Sequence, residues 1–300
     1  MRERDSEFSA VGRFAPSPTG DLHLGSLFAA LAGFLDARAQ GGRWLLRIDD
    51  LDGPRSDPAS EAQICRTLEA HGLLWDDERT YASHNLEAHE AALRRLMNAG
   101  HLFYCRCSRR MLAGTSHYPG TCRAIVQPPP EAAAIRVNTA DAPLLRFHDR
   151  LQGDQQQSLQ RAGGDFIVRR RDDLISYQLA VVVDDALSGI NQVVRGADLL
   201  TETGKQLWLA RLLEIDPPSY LHLPVINNRR DQKLSKQAHS APVSGQAPGE
   251  TLHLLLQLLQ QAPPHDGARW SVQELLGWAV AHWRPAALPA TTALTGFVGW

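Results

Sequence analysis

No stretch of 18 or more apolar residues occurs in this 300-residue chain, which excludes a helical membrane span of ordinary length. Met1 to Ser9 is charged and polar, without the apolar segment of a signal peptide, so the chain is expected to stay in the cytosol, with no membrane partner. An excess of one charge is also missing: 31 Lys and Arg stand against 33 Asp and Glu, a net charge of −2. Such a chain has no global attraction for nucleic acid, and RNA contacts have to come from local patches. Cysteine is scarce. The four present, two of them in CRC, do not form the framework of a secreted disulfide protein, and metal binding is the better default. No internal repeat is found. What remains, 43% hydrophobic and 21% charged residues, is the composition of a soluble globular protein with one large or two modest domains.

The most informative stretch is Arg13 to Ser26, RFAPSPTGDLHLGS. Ala10 to Phe14 can form a buried strand. The chain then breaks at Pro16 and Pro18, turns at Gly20 and enters Leu24 to Gln40, where Leu24, Leu27, Phe28, Leu31 and Leu35 recur at helical spacing. Asp21 stands where an N-cap belongs, which puts His23 and Gly25 in the first helical turn. A helix start after a strand collects phosphate through free N–H groups and its positive end. Gly25 lets a nucleotide approach the backbone, and His23 can donate to a phosphate oxygen. Arg43 to Ile48, RWLLRI, supplies a second parallel strand, so residues 10–48 read as a βαβ unit. Asp49, Asp50 and Asp52 of DDLD then fall at the carboxyl edge of that strand, where such sheets bind ligands. Helices are expected over Glu61 to His71 and Asn85 to Asn98.

Residues 100–165 break the pattern with CRCSRR, a Gly-rich loop, PPP at 128–130 and QGDQQQSLQ, and read as an inserted subdomain with a flexible stretch. The expected organisation is 8–99 for the first half of the main α/β domain, 100–165 for the insertion, 166–239 for the second half, and 250–300 for a short helical extension after a Pro, Ser and Gly linker. Within the second half, strands are expected at Phe166 to Val168, Gln192 to Arg195 and Leu221 to Asn227. Leu174 to Val183 reads as buried helical material and Thr203 to Glu214 as a helix. In the extension, Glu250 to Gln261 and Val272 to His282 read as helices. The basic loop NNRRDQKLSKQ carries Lys233 and Lys236. Cys105, Cys107 and Cys122 supply three thiolates toward a tetrahedral zinc site, for which His117 is a chemically natural fourth ligand. Cys65, far off in a helical stretch, reads as a small core residue.

RFAPSPTGDLHLGS resembles the HIGH motif of class I aminoacyl-tRNA synthetases, in the PSPTGxLHxG form of the glutamyl and glutaminyl branch, with Ser26 in place of the second His. KLSKQ at 233–237 resembles the mobile KMSKS loop, with Leu234 for Met and Gln237 for the last Ser. The resemblance implies an α/β, Rossmann-like class I catalytic domain that uses ATP with Mg2+ and an inserted zinc-containing subdomain. When a carboxylate attacks the α-phosphate of ATP, charge builds on the phosphoryl oxygens, and Lys236, assisted by Lys233, would stabilise it. His23, Gly25 and Lys236 would bind ATP.

For L-glutamate the resemblance implies a pocket of Arg13, Ala15, Ser17, Asp49, Tyr177 and Arg195. Arg195 would grip the side-chain carboxylate in a bidentate pair, and Asp49 stands where the family's RIED pattern has Glu, which binds the substrate ammonium. Asp184 and Asp185 are left as structural or nucleotide-proximal. For the metal, the resemblance points to Tyr118 rather than His117, giving Cys105, Cys107, Tyr118 and Cys122 around one structural Zn2+. The short length after Gln237, Val181 in YQLAVVVDD and the CxC…YxxxC spacing are those of a short paralog. That paralog activates glutamate without tRNA and transfers it to queuosine at the wobble position of tRNA(Asp). A monomer is expected. Arg109, Arg110 and Arg169 to Arg171 are possible phosphate contacts. Competing readings are a minimal enzyme charging a tRNA 3′ end, a silent RNA-binding paralog and a nucleotidyltransferase of another kind.

Overall fold

In a computed structural model describing residues 9–228, 233, 234, 243 and 246–297, the opening segment folds as the expected βαβ unit. β1 (Val11–Phe14) pairs in parallel with β2 (Arg43–Ile48), from Val11 against Arg43 to Phe14 against Leu46, and α1 (Leu24–Arg38) makes the crossover. Leu24, Leu27, Phe28, Leu31 and Leu35 are at most 2% exposed, but burial is not confined to one face: Ala30 to Ala37 are all buried, so the helix is covered nearly all round. The helix starts differently from expectation. Its N-cap is His23, not Asp21: His23 is extended (φ −97°, ψ 169°) and its Nδ1 accepts the Ser26 N–H at 3.2 Å. The helix also stops at Arg38, short of Gln40. At Gly42 a side chain is impossible, because a Cβ would lie 2.1 Å from the Ala10 carbonyl oxygen as β2 enters beside β1.

β3 (Thr80–Tyr81) extends this sheet beside β2, and α2 (Pro58–Ala70) and α3 (Leu86–Asn98) follow, within a few residues of expectation. β4 (Leu102–Cys105) and β5 (Ala134–Val137) form, with β8 (Ile167–Arg169), a separate three-stranded antiparallel sheet. The chain between its strands also holds β6 (Leu145–Asp149) and β7 (Gly153–Gln157), a hairpin. This hairpin lies within the expected insertion of residues 100–165. Counted with the insertion on composition, it joins the second half of the catalytic sheet, in the order β7-β6-β10-β9. The Gln-rich stretch thereby supplies the edge strand of that sheet. Arg150, in the turn, holds the buried Asp36 of α1 through two bonds of 2.6 and 2.8 Å.

The second half continues with α4 (Tyr177–Leu187), β9 (Gln192–Gly196), α5 (Thr203–Leu212), β10 (Ser219–Leu223) and β11 (Val225–Asn228). β10 is parallel to both β9 and β6. One strand was expected over 221–227; Pro224, with no N–H to donate, divides it in two. β9 runs beside β1, tied there by the Val11 N–H on Asn191 Oδ1 at 2.8 Å. The extension holds α6 (Pro248–Leu258), α7 (Val272–Ala281) and β12 (Ala293–Phe297). It is not wholly helical, since β12 pairs with β11. Nor is it peripheral: Leu252, Leu255 and Leu256 of α6 and Leu275 of α7 share one core with α1 and β2.

Candidate functional site

The start of α1 and the loop after β11 meet around a cavity of about 170 Å³, lined by His23, Gly25, Ser26, Gly196, Asp198 and Lys233 among others. A Cβ on Gly25 would sit 3.2 Å from the His23 ring and 3.9 Å from the Leu234 carbonyl oxygen, so glycine keeps this wall open. Lys233 bridges to Asn227 through the backbone and its Nζ donates to Asp198 Oδ2 at 2.5 Å. The Leu234 N–H donates to the Ile226 carbonyl at 2.8 Å. The two signature stretches, far apart in sequence, thus border one space. Lys236 lies outside the described residues.

A second cavity, about 350 Å³, is lined by Ser17, Asp49, Asp52, Arg170, Tyr177 and Asp184 among others. Arg13, at the end of β1, Ala15 just after it, and Arg195 on β9 do not line it. Behind Asp49 lies a network of buried charge. Arg47, 2% exposed, reaches Asp49 Oδ1 at 2.8 Å, Asp185 Oδ1 at 2.6 Å and Asp184 Oδ2 at 3.7 Å. Arg13 Nε donates to both Asp185 oxygens, at 3.2 and 3.3 Å. Burial pushes the Asp185 carboxyl up, but Arg13 and Arg47 outweigh it and hold the group below its ordinary value. At Asp49 burial wins over Arg47, and its carboxyl is held above the usual range. Burial opposes the charge on Arg47, but the three carboxylates prevail and raise it further. Asp184 accepts from His89 Nε2 at 2.7 Å and Asn85 Nδ2 at 2.9 Å.

Arg195 is held differently. Its Nε donates to His222 Nε2 at 2.9 Å, Nη1 to Gln206 Oε1 at 2.8 Å, and Nη2 to Thr203 Oγ1 at 2.9 Å and the Leu199 carbonyl at 3.5 Å. Four of its five donors are engaged, so the bidentate grip expected of Arg195 has one free N–H to work with. Its guanidinium lies 5.2 Å above the Tyr220 ring. The Tyr220 phenol is pushed up to about 12, mainly by burial, and also feels Arg195, Asp185, Arg13 and Tyr177, which places these groups in one neighbourhood. Arg47, His222 and Tyr220 escaped the sequence reading; the visible signal was an arginine and a histidine inside otherwise apolar strands, RWLLRI and SYLHL.

Cys105, Cys107 and Cys122 bring their sulfurs within 4.8 Å of one another, with Cys107 and Cys122 at 3.6 Å. Two thiolates on a tetrahedral zinc stand roughly 3.8 Å apart, given Zn–S bonds of about 2.3 Å, so the cluster has the right scale for a metal. The Tyr118 hydroxyl lies 3.4 Å from Cys105 Sγ and 4.0 Å from Cys107 Sγ, and accepts the Cys122 N–H at 3.1 Å. Exposed His117 instead packs against Gly164. Burial pushes the Cys107 thiol up to about 11 and the Tyr118 phenol up as well. Cys65 is buried elsewhere, beside Arg79. Of the arginine run, Arg169 pairs with Glu90 and Asp173, and Arg171 holds the carbonyls of Arg106 and Cys107. Arg170 pairs with Asp172 and borders the larger cavity, while Arg109 and Arg110 are exposed.

A parallel βαβ unit with its helix start facing a lysine-bearing loop, interrupted by an antiparallel module, is the α/β catalytic fold of a class I aminoacyl-tRNA synthetase. Residues 10–250 match the family of class I tRNA synthetases (E and Q), catalytic domain, and the chain belongs to that family. It is an enzyme, a ligase of the aminoacyl-tRNA synthetase type. Among its relatives, the glutamyl-Q tRNA(Asp) synthetase of Thiobacillus denitrificans is 49% identical over 288 residues, covering 94% of this chain and 95% of the relative. The protein of the same name from Methylococcus capsulatus is 48% identical over 293 residues, 96% of each chain. The crystal structure of glutamate-tRNA synthetase from Elizabethkingia anophelis superposes with a TM-score of 0.80 at 21% identity, over 95% of this chain and 68% of that one. Among the described residues no helix is long and apolar enough to cross a membrane.

Proposed function

We propose that this enzyme activates L-glutamate with ATP and Mg2+, without tRNA, and transfers the glutamyl group to queuosine at the wobble position of tRNA(Asp). In the first step the glutamate α-carboxylate attacks the α-phosphate, a new P–O bond forms and pyrophosphate leaves. In the second a ring hydroxyl of the queuosine cyclopentenediol attacks the acyl carbon, and AMP leaves. His23 and Gly25 hold the phosphates, and Lys233 and Lys236 neutralise the charge that builds on them. Asp49 takes the substrate ammonium; Tyr177, Ser17 and Ala15 line its path. Arg195 and Arg13 face the side-chain carboxylate, Arg195 with one N–H and an unpaired charge, Arg13 with the terminal nitrogens that Asp185 leaves unused. Cys105, Cys107, Tyr118 and Cys122 hold one structural Zn2+ in the insertion, outside the chemistry.

The observation that carries the adenylation step is the meeting of His23, Gly25 and Lys233 around one cavity. The acceptor rests on relatives of near-equal length that bear the glutamyl-Q tRNA(Asp) synthetase name. ATP–pyrophosphate exchange with a panel of amino acids, followed by labelled-glutamate transfer to tRNA(Asp) with and without queuosine and to tRNA(Glu), tests both parts. Glutamate-dependent exchange without tRNA, and transfer only to queuosine-containing tRNA(Asp), is the expected result. Transfer to tRNA(Glu) would make this a minimal charging enzyme, and no exchange with any amino acid would make it a silent paralog.

A further inference from the structure

Arg195 is 6% exposed, yet among the described residues the four groups that accept its hydrogen bonds are all neutral. A buried guanidinium without an ion-pair partner is costly unless a ligand supplies the anion, and its usefulness depends on its being held in place until that ligand arrives. His222 does much of the holding. An arginine cannot accept a hydrogen bond, so the His222 Nε2 that receives the Arg195 Nε–H must carry a lone pair, and the ring proton must sit on Nδ1. Nδ1 faces Asp149 Oδ2 at 2.5 Å. The other carboxylate oxygen, Oδ1, accepts the backbone N–H groups of Leu151, Gln152 and His222 at 3.0, 2.8 and 3.2 Å. Asp149 and His222 are fully buried. Asp149 ends β6, His222 sits in the neighbouring β10, and Arg195 is in register with His222 on β9.

We propose that Asp149, acting through His222, is a positioning residue for Arg195: the carboxylate fixes the imidazole tautomer, and the imidazole aims the guanidinium at the substrate's side-chain carboxylate. This rests on the reading that Arg195 meets that carboxylate. The β6–β7 hairpin therefore belongs to the amino-acid site by function as well as by pairing, and the chain of contacts spans three adjacent strands. Thr203 Oγ1, 3.2 Å from His222 Nε2 and 2.9 Å from Arg195 Nη2, closes the arrangement.

Asp149→Asn is the informative change. Its amide oxygen can keep the three backbone N–H groups, while its NH2 faces His222 Nδ1 and drives the ring proton to Nε2, against the Arg195 N–H. In tRNA-free ATP–pyrophosphate exchange, the KM for glutamate is expected to rise about 10- to 100-fold, the scale of a lost bond to a charged group, with the KM for ATP unchanged. His222→Gln, whose carbonyl oxygen can accept from Arg195, should keep most of the glutamate affinity, and His222→Leu should not. In the His222→Gln background, Asp149→Asn should add little, because no tautomer is left to set. Arg195→Lys, measured beside them, separates the two layers. If it leaves the glutamate KM unchanged, the assignment of Arg195 to the substrate fails. If it raises that KM while Asp149→Asn does not, the relay alone fails. Equal losses in His222→Gln and His222→Leu, or parallel rises in the KM for glutamate and ATP, would also overturn the relay, and this pair decides the matter should Asp149→Asn not fold.

Discussion

Replacing Arg47 with methionine removes a cation that three carboxylates share. Arg47 lies 2.8 Å from Asp49, 2.6 Å from Asp185 and 3.7 Å from Asp184 and is almost wholly buried. Without it, Arg13 is left beside Asp185 and Asp49, and Asp184 keeps only its hydrogen bonds from His89 and Asn85 among the described residues. Methionine retains much of the aliphatic volume, so the cavity contribution is small and the cost comes from carboxylates stranded in a poorly solvated site. Breaking a buried pair in this way costs about 3–5 kcal/mol. At about 2 °C per kcal/mol for a chain of this size, the melting temperature should fall by roughly 6–10 °C.

The assay is thermal unfolding followed by circular dichroism near neutral pH and again in mild acid. In the parent protein the depressed Asp185 carboxyl contributes stability above its ordinary pKa, which is lost as pH falls through the folded value. In Arg47→Met that contribution is gone, the folded carboxyls titrate higher, and protonation relieves their repulsion. The deficit should therefore shrink on acidification. A melting temperature within about 2 °C of the parent near neutral pH, or a deficit that grows in acid, would refute the account of Arg47 as the shared counter-charge.

Four further outcomes are expected. Burial holds Asp49 above the usual carboxylate range, and only its ionised form can take an ammonium, so the glutamate KM should rise as pH falls; Asp49→Asn should raise that KM about tenfold or more and flatten the profile, and parallel profiles would sink the role. Cys122→Ser should lose bound zinc by atomic spectrometry, with glutamate-dependent exchange largely kept; unchanged metal content would remove Cys122 from the ligand set. Burial lowers the pKa of both His71 and His222, so the unfolded chain takes up their protons first, and urea-unfolding stability should fall as pH drops through about 6.5 with a slope of up to about 1.4 kcal/mol per pH unit for each histidine; an unchanged slope in His71→Leu would exclude His71 as a source. Lys236→Ala should slow exchange by about 100-fold or more while equilibrium glutamate binding stays intact, and normal exchange would refute its catalytic role.

The sequence showed the elements that bear motifs and missed the partners that hold them. HLGS, the following leucines and DDLD are local signals, and β1, α1 and β2 fall where those signals put them. The N-cap was misread because a composition rule favours Asp21, whereas the backbone turns at His23 and its ring takes the Ser26 N–H. Arg47 and His222 were invisible as functional groups because a strand pattern reports alternation and burial, not what a buried polar group touches. Their partners stand far away: Asp185 is 138 residues from Arg47 and Asp149 is 73 from His222. The Gln-rich β7 was not expected as a strand because polar composition on an edge strand resembles that of a loop; its pairing with β6 distinguishes them. The choice of Tyr118 over His117 could not be made on ligand chemistry, which favours imidazole. In the fold the Tyr118 hydroxyl lies beside the sulfurs, 3.4 Å from Cys105 Sγ, while exposed His117 packs against Gly164.

The charges behind the larger cavity are arranged with opposite deficits. Around Arg47 the carboxylates outnumber the arginines, and Asp49, which lines the cavity, is held above the usual carboxylate range by burial. Around Arg195 the balance runs the other way: a buried cation is surrounded by a histidine, a glutamine, a threonine and a carbonyl oxygen, and by no carboxylate among its hydrogen-bond partners. On the proposed reading, an amino acid with an ammonium at one end and a carboxylate on its side chain would complete both halves. Glutamine would satisfy the acidic half equally well and leave the guanidinium without its counter-charge. On that reading, discrimination against the amide would come from a deficit built into the fold. It need not come from a group that repels glutamine, because leaving a buried charge unpaired is itself the larger penalty. On this argument the neutrality of His222 matters as much as the charge of Arg195. A carboxylate at that position would hold the arginine more tightly and remove the unpaired charge on which the proposed glutamate site depends.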